Sequence, residues 1–98
     1  MNTTEEKTAC VRCERRQSEG NEYEYTLTVR ESNMTASFRL PLYSVQVAMT
    51  TEDGTRREAR LTDAFLSQKM AFAFFNRIVE NLATPIDLPF VYEDEMVK

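Results

Sequence analysis

The first strand signal is a strict alternation of apolar and polar residues. Between residues 23 and 29, every odd position is Tyr, Leu or Val and every even position is Glu or Thr. This period of two is typical of a strand with one buried face. Residues 8–16 alternate less clearly and predict a second strand. Residues 17–21 separate the two segments, and Gly20 tolerates the positive φ of a tight turn. We therefore expect a hairpin here.

The apolar positions change parity at Pro41. Residues 34–40 are apolar at even positions, whereas residues 43–49 are apolar at odd positions. A shift by one residue turns every side chain to the other face of a sheet, and proline lacks a backbone donor. We therefore expect either one long strand bent at Pro41 or two strands separated there. The polar residues 31–33 predict a turn before this segment.

A strand with many charges follows the next turn. The Asp-Gly pair at positions 53–54 is a strong hairpin signal. Residues 55–61 then predict an edge strand, because charged side chains deter pairing with another sheet. Arg56 and Arg60 would lie on one face of that strand and Arg57 on the other. Paired guanidinium groups can bind phosphate or carboxylate, so the three arginines are candidates for a partner contact. They could equally serve only to keep the edge soluble.

Residues 67–82 carry the helical pattern, with apolar side chains at spacings of three and four. Ser67 is placed to accept a hydrogen bond from the first turn. Asn81 is suited to the left-handed conformation that ends many helices. Further along, residues 89–96 predict a short second helix. The whole pattern predicts an α+β fold, an antiparallel three- to four-stranded meander with one amphipathic helix packed on one face and a short C-terminal helical segment.

The apolar stripe of the predicted main helix is wider than a surface helix needs. Phe72 and Val79 lie on one flank of this stripe. Contiguous exposed apolar surface usually marks an interface. We therefore expect this flank to bind a protein partner or a second copy of the chain.

Length and composition agree with one small domain. The chain has 98 residues, of which 42% are hydrophobic. We assign residues 1–7 to a flexible N-terminus and residues 8–98 to a single domain. No apolar run approaches about 18 residues, and the first residues lack the basic and apolar parts of a signal peptide. We therefore expect a cytoplasmic protein without membrane contact.

The net charge of −4 lies entirely near the end of the chain. Residues 1–77 contain eleven basic and eleven acidic residues, so the excess of acid lies in residues 78–98. This acidic segment repels phosphate, and we expect no direct binding to nucleic acid. Its carboxylates are either solvated or a partner-binding surface. The candidates for such a surface are Asp87, Glu93, Asp94 and Glu95.

The chain contains no histidine. Since histidine is the commonest general base and metal ligand, we expect no catalysis, no cofactor and no metal centre. Cys10 and Cys13 form a Cys-x-x-Cys pair. The pair could be half of a zinc site completed by a second copy, a redox pair, or two incidental thiols. Strand residues three apart point to opposite faces, which argues against joint action of the two thiols.

Residues 81–94 read NLATPIDLPFVYED. This segment resembles the C-terminal signature N-x-x-T-P-x-x-L-x-x-V-x-E-D of a family of small uncharacterised proteins from clostridia and related Gram-positive bacteria. The order of elements extends the resemblance over residues 22–95. The resemblance implies the fold class and a bacterial origin. The family has no assigned activity, cofactor or catalytic residue.

We therefore expect a protein-interaction module or regulator without intrinsic catalysis. One alternative is an acidic inhibitor encoded by a mobile element, similar to anti-CRISPR proteins. It would bind a nuclease or another nucleic-acid-binding protein through its acidic C-terminal segment. A second alternative is an enzyme that uses carboxylates or tyrosine in a cleft between sheet and helix.

Overall fold

A computed structural model describes residues 8–35 and 38–97; residues 1–7, which include the predicted flexible N-terminus, lie outside that description. Four strands form one antiparallel sheet in sequential order, and two helices follow. The elements are β1 (Thr8–Ser18), β2 (Asn21–Thr35), β3 (Phe38–Thr50), β4 (Arg56–Phe65), α1 (Gln68–Glu80) and α2 (Asp87–Val97). This arrangement confirms the predicted α+β meander, its main helix and the short C-terminal helix.

Both helices pack on the same face of the sheet, here called the helix face; the other is the open face. The core between sheet and helices is fully buried. Burial of each such apolar side chain contributes about 1.5–3 kcal/mol to stability. The largest buried side chains are Tyr25, Leu27, Val45, Val47, Phe74, Phe75, Ile78 and Leu88.

The two predicted hairpin turns at one end of the sheet are confirmed. Glu19 and Gly20 connect β1 to β2 with φ values of 52° and 83°, as a two-residue turn of type I′ requires. Gly54 has a φ of 91° in the turn between β3 and β4. In that turn Asp53 accepts hydrogen bonds from the Thr51 hydroxyl and the Thr55 amide. These bonds lower the pKa of Asp53 to about 2.

β2 is longer than the sequence predicts, and β3 is one continuous strand and not two strands separated at Pro41. Residues 31–33 belong to β2 and pair with β3, so the turn expected there is wrong. β3 passes through Pro41 without interruption, and the alternation continues, so Leu40 and Leu42 lie on the face opposite to Tyr43. β4 pairs with β3 only from Tyr43 onward. Pro41 therefore lies where β3 has one neighbouring strand, a position that tolerates proline.

A bulge at Val11 changes the geometry of β1. Cys10 pairs with Thr28, and Cys13 pairs with Thr26. Because these threonines are two residues apart on β2, both cysteines lie on the open face. The expectation of opposite faces is wrong, since the bulge adds one residue to β1 without advancing the alternation.

β4 also contains an irregularity, and it extends to Phe65 instead of ending near residue 61. The register with β3 shifts after Tyr43, and Asp63 adopts a left-handed φ of 53°. The amide of Asp63 donates to the Ser44 hydroxyl at 2.8 Å. Its carboxylate accepts two hydrogen bonds from the Arg30 guanidinium, at 2.6 and 3.0 Å. These bonds hold the pKa of Asp63 below its ordinary value.

Both ends of α1 are capped. The Ser67 hydroxyl accepts from the Met70 amide at 3.3 Å, which confirms the predicted N-cap. At the other end, Leu82 and not Asn81 takes the left-handed conformation, with a φ of 51°. The amides of Leu82 and Ala83 bond back to the last carbonyls of the helix at 3.2 and 3.0 Å, as in a Schellman motif.

Candidate interaction surface

The flank of α1 that the sequence assigns to a partner is covered. Val79 is 6% exposed and belongs to the core. Phe72 is half-buried, with the Arg12 guanidinium 5.5 Å from its ring centroid. On another side of α1, the Tyr92 ring of α2 meets Phe74 edge-on. The sheet, Arg12 of β1 and α2 together cover the wide apolar stripe of α1, and the expected exposure of Val79 is wrong.

The three candidate arginines of β4 do not converge. Arg56 and Arg60 share the open face and Arg57 lies on the other, as expected from the register. Arg56 is bound by the carboxylates of Glu58 at 2.7 Å and Glu24 at 3.7 Å. The hydrogen bond with Glu58 raises the pKa of Arg56. Arg60 donates to neutral side chains at 3.2 and 3.3 Å. The arrangement favours internal ion pairing over a shared anion site.

Three of the four candidate carboxylates have contacts within the molecule, and two of these carboxylates are held closely. Asp87 accepts a hydrogen bond from the Thr84 amide at 3.0 Å, and its own amide donates to the Thr84 hydroxyl at 3.3 Å. This reciprocal pair is a capping box at the start of α2. Glu95 is half-buried and ion-paired with Arg77. Asp94 reaches the same guanidinium at 3.4 Å but stays 62% exposed, and Glu93 is exposed.

Exposed apolar side chains lie elsewhere than expected, on α2 and around the helix termini. The large ones are Leu66, Met70, Ile86, Phe90 and Met96. Ile86, just before α2, and Phe90, in its first turn, are four residues apart and are 64% and 67% exposed. The next turn of α2 on this side carries Glu93 and Asp94. We call Ile86, Pro89, Phe90, Glu93 and Asp94 the α2 outer face.

The opposite side of α2 is anchored to the rest of the fold. Leu88 is fully buried, and the Tyr92 hydroxyl donates to the carbonyl of Ala64 at 3.0 Å. The Tyr92 ring also packs edge-on against Phe65, with centroids 5.5 Å apart. The α2 outer face is therefore presented on a helix held by buried contacts. The exposed side of α2 is predictable from the spacing of Leu88 and Tyr92, because helix residues two positions from a buried one point away from the core.

A second feature is a shallow depression of about 230 Å³ on the sheet near the two hairpin turns. Its lining is mainly charged and polar, and Glu24 lies between Arg15 at 3.2 Å and Arg56 at 3.7 Å. Each oxygen of this carboxylate is therefore paired with a guanidinium group. Among the described residues, no three His, Cys, Asp or Glu side chains are grouped to hold a metal ion.

Neither described helix has the length and apolar character needed to cross a membrane. No curated protein and no solved structure shows significant similarity to the chain. A family model matches residues 4–98, which is nearly the whole sequence. The expectation of a family without an assigned activity is confirmed to that extent. The chain therefore belongs to the family of unknown function DUF6514.

Proposed function

We propose that this chain is a small bacterial, cytoplasmic interaction module without catalysis, which binds a protein partner through the α2 outer face. The observation that carries the proposal is the pair Ile86 and Phe90, both about two-thirds exposed, one just before α2 and one within it, while the other side of α2 is anchored. Apolar side chains clustered on a fixed surface are typical of interfaces. Burial of these side chains in a groove of the partner would favour binding by about 1.5–3 kcal/mol for each side chain.

The side chains of the α2 outer face indicate the kind of partner surface that would fit it. A helix that presents apolar side chains four residues apart on its exposed side can dock into an apolar groove, with anchors at positions i and i+4. Glu93 and Asp94 lie beside the anchors, so the rim of the groove should carry Lys or Arg. A two-fold contact between two copies would bring these carboxylates together. The face therefore fits a different, basic-rimmed protein better than a second copy.

Affinity capture followed by binding measurements tests the proposal. The full chain is used to capture proteins from a lysate of a clostridial or related Gram-positive bacterium, and each captured protein is purified and titrated. We expect Ile86→Ser/Phe90→Ser to weaken binding at least 10-fold. The matched control Leu66→Ser/Met70→Ser removes two other exposed apolar residues and should bind like the wild type. Binding should also weaken with rising salt, because the rim contacts are exposed charges.

Two results would contradict the proposal. One is a partner that binds all three proteins equally, because the contact would then lie outside the α2 outer face. The other is a chain that captures nothing and instead forms dimers that Ile86→Ser/Phe90→Ser dissolves, as measured by sedimentation. Circular dichroism of each variant establishes that it is folded before binding is compared.

The inhibitor alternative receives less support. It relies on four carboxylates as substitutes for phosphates, and Asp87 and Glu95 are engaged within the molecule. A nuclease partner that loses binding with Glu93→Gln/Asp94→Asn but keeps it with Ile86→Ser/Phe90→Ser would favour this alternative. The enzyme alternative needs a free acid or base in a cleft, whereas the space between sheet and α1 is filled by the core.

A further inference from the structure

The bulge at Val11 creates an arrangement that a regular strand would not give to a Cys-x-x-Cys sequence. It places Cys10 and Cys13 at successive positions on the open face, opposite Thr28 and Thr26. Both cysteines are exposed free thiols. The Cys10 thiol donates to the carbonyl of Arg12 at 3.7 Å, within the segment that leads to Cys13. Two accessible thiols are therefore carried at neighbouring positions on one face of an edge strand.

The spacing of the two cysteines favours a bridge longer than a disulfide. Thr26 and Thr28 are successive positions on one face of β2 and lie about 6.6 Å apart between Cα atoms; the two cysteines opposite them have an extra residue between them and are separated by at least that distance. That distance is near the upper end of the range for disulfides, whose Cα atoms are most often about 5.5–6 Å apart. A metal ion between two sulfur atoms adds two metal–sulfur bonds of about 2.3 Å each in the case of zinc. Such a bridge fits the wider spacing without moving the backbone.

We propose that Cys10 and Cys13 form a dithiolate site for a thiophilic metal ion, Cu⁺ or Zn²⁺. Each thiol releases one proton as its sulfur binds the metal, and no electron is transferred. The donor set is all sulfur, since the chain has no histidine and the described residues offer no third ligand nearby. Thiolates select soft ions of this kind. Cu⁺ needs only two sulfur ligands, whereas Zn²⁺ would need the two cysteines of a second copy, which the edge position of β1 leaves accessible.

Competition with chromophoric chelators tests this site on the reduced, metal-free full chain. Zn²⁺ is supplied with 4-(2-pyridylazo)resorcinol and Cu⁺ with bicinchoninate, and native mass spectrometry gives the stoichiometry. We expect either one Cu⁺ per chain or one Zn²⁺ per two chains, bound at least 100-fold more tightly than by Cys10→Ser/Cys13→Ser. The two stoichiometries distinguish the two ions. Metal binding by the double variant equal to that of the wild type would overturn the proposal.

A second variant tests the shared face itself. Cys13→Ser/Glu14→Cys keeps two thiols on β1 but moves one to the helix face, because position 14 pairs with the core residue Tyr25. We expect at least 10-fold weaker metal binding, with a melting curve showing that the variant is folded. Equal affinity would show that the bulge is irrelevant. Rapid closure of Cys10 and Cys13 into a disulfide in air, seen as a loss of two mass units, would overturn the spacing argument.

Discussion

At the scale of single residues, Tyr25 is fully buried and its hydroxyl donates to the carbonyl of Ala83 at 2.9 Å. Burial raises the pKa of Tyr25 to about 12, and the neighbouring Tyr23 adds to the effect. The folded state thus favours the protonated phenol. This contribution to stability is fully present below the unfolded pKa of about 10 and is lost as the pH rises towards 12.

Tyr25→Phe should therefore have two effects. At pH 7 it should lower the free energy of unfolding by about 1–2 kcal/mol, because the Ala83 carbonyl loses its donor. Between pH 10 and 12 the free energy of unfolding of the wild type should fall by about 2–3 kcal/mol more than that of the variant. Urea unfolding at several pH values measures both. An identical decline in the two proteins above pH 10 would contradict the assignment to Tyr25.

For Asp63 the predicted loss of stability occurs at low pH, not at high pH as for Tyr25. The hydrogen bonds from Arg30 lower the pKa of Asp63, so its contribution to stability is present above the unfolded pKa of about 4 and is lost as the pH falls below it. Asp63→Asn tolerates the left-handed backbone and keeps the amide bond to Ser44. Asp63→Asn should lower the free energy of unfolding by about 1 kcal/mol at pH 7, and this difference from the wild type should shrink below pH 4. A difference that stays constant with pH would show that charge is not involved.

At the scale of elements, the capping box at the start of α2 explains the Thr-Pro segment without a ligand. Thr84→Ala and Asp87→Ala each remove one of the two reciprocal hydrogen bonds. Each should lower the free energy of unfolding by about 1 kcal/mol. The double variant should lose less free energy of unfolding than the two single variants together, because each hydrogen bond holds the backbone in place for the other.

The control for this prediction is Glu93→Ala, which changes an exposed carboxylate on the same helix. It should alter stability by less than about 0.5 kcal/mol. Chemical denaturation of these four variants and of the wild type measures the differences. Additive losses in the double variant would show that Thr84 and Asp87 act independently.

Element types were predictable from the sequence, but irregularities within strands were not. The period of two at residues 23–29 and the spacing of α1 reflect burial on one face, which leaves a clear pattern. The bulge at Val11 changes which positions of β1 face the helices, but residues 8–18 alternate too weakly for this change of parity to show in the sequence. Residues 31–33 pair through backbone hydrogen bonds, which polar residues make as well as apolar ones. Their composition therefore suggested a turn where a strand continues.

At the scale of the whole molecule, contacts between distant segments decide what is exposed. Phe72 looked available on the helix, but Arg12 lies over its ring. Arg12 reaches it because the bulge turns this side chain to the helix face, opposite Leu27. No local pattern carries that information. The two sides of α2, in contrast, are predictable from spacing alone, because Leu88 and Tyr92 are four residues apart and Phe90 lies midway between them.

The two sides of α2 give a matched pair of substitutions. Leu88 is fully buried between α2 and the rest of the fold, whereas Phe90, two residues later, is 67% exposed. Leu88→Ala should lower the free energy of unfolding by about 2–5 kcal/mol, because it leaves a cavity in the core. Phe90→Ala removes a larger side chain but should change stability by less than about 0.5 kcal/mol.

Thermal and chemical unfolding of these two variants measures the contrast directly. A large loss with Phe90→Ala would show that its ring supports the fold of the isolated chain, and the α2 outer face would then have a structural role. A small loss together with weakened binding to a captured partner separates stability from function. The apolar side chain with the greatest exposure on α2 would then be retained for a contact that the isolated chain does not make.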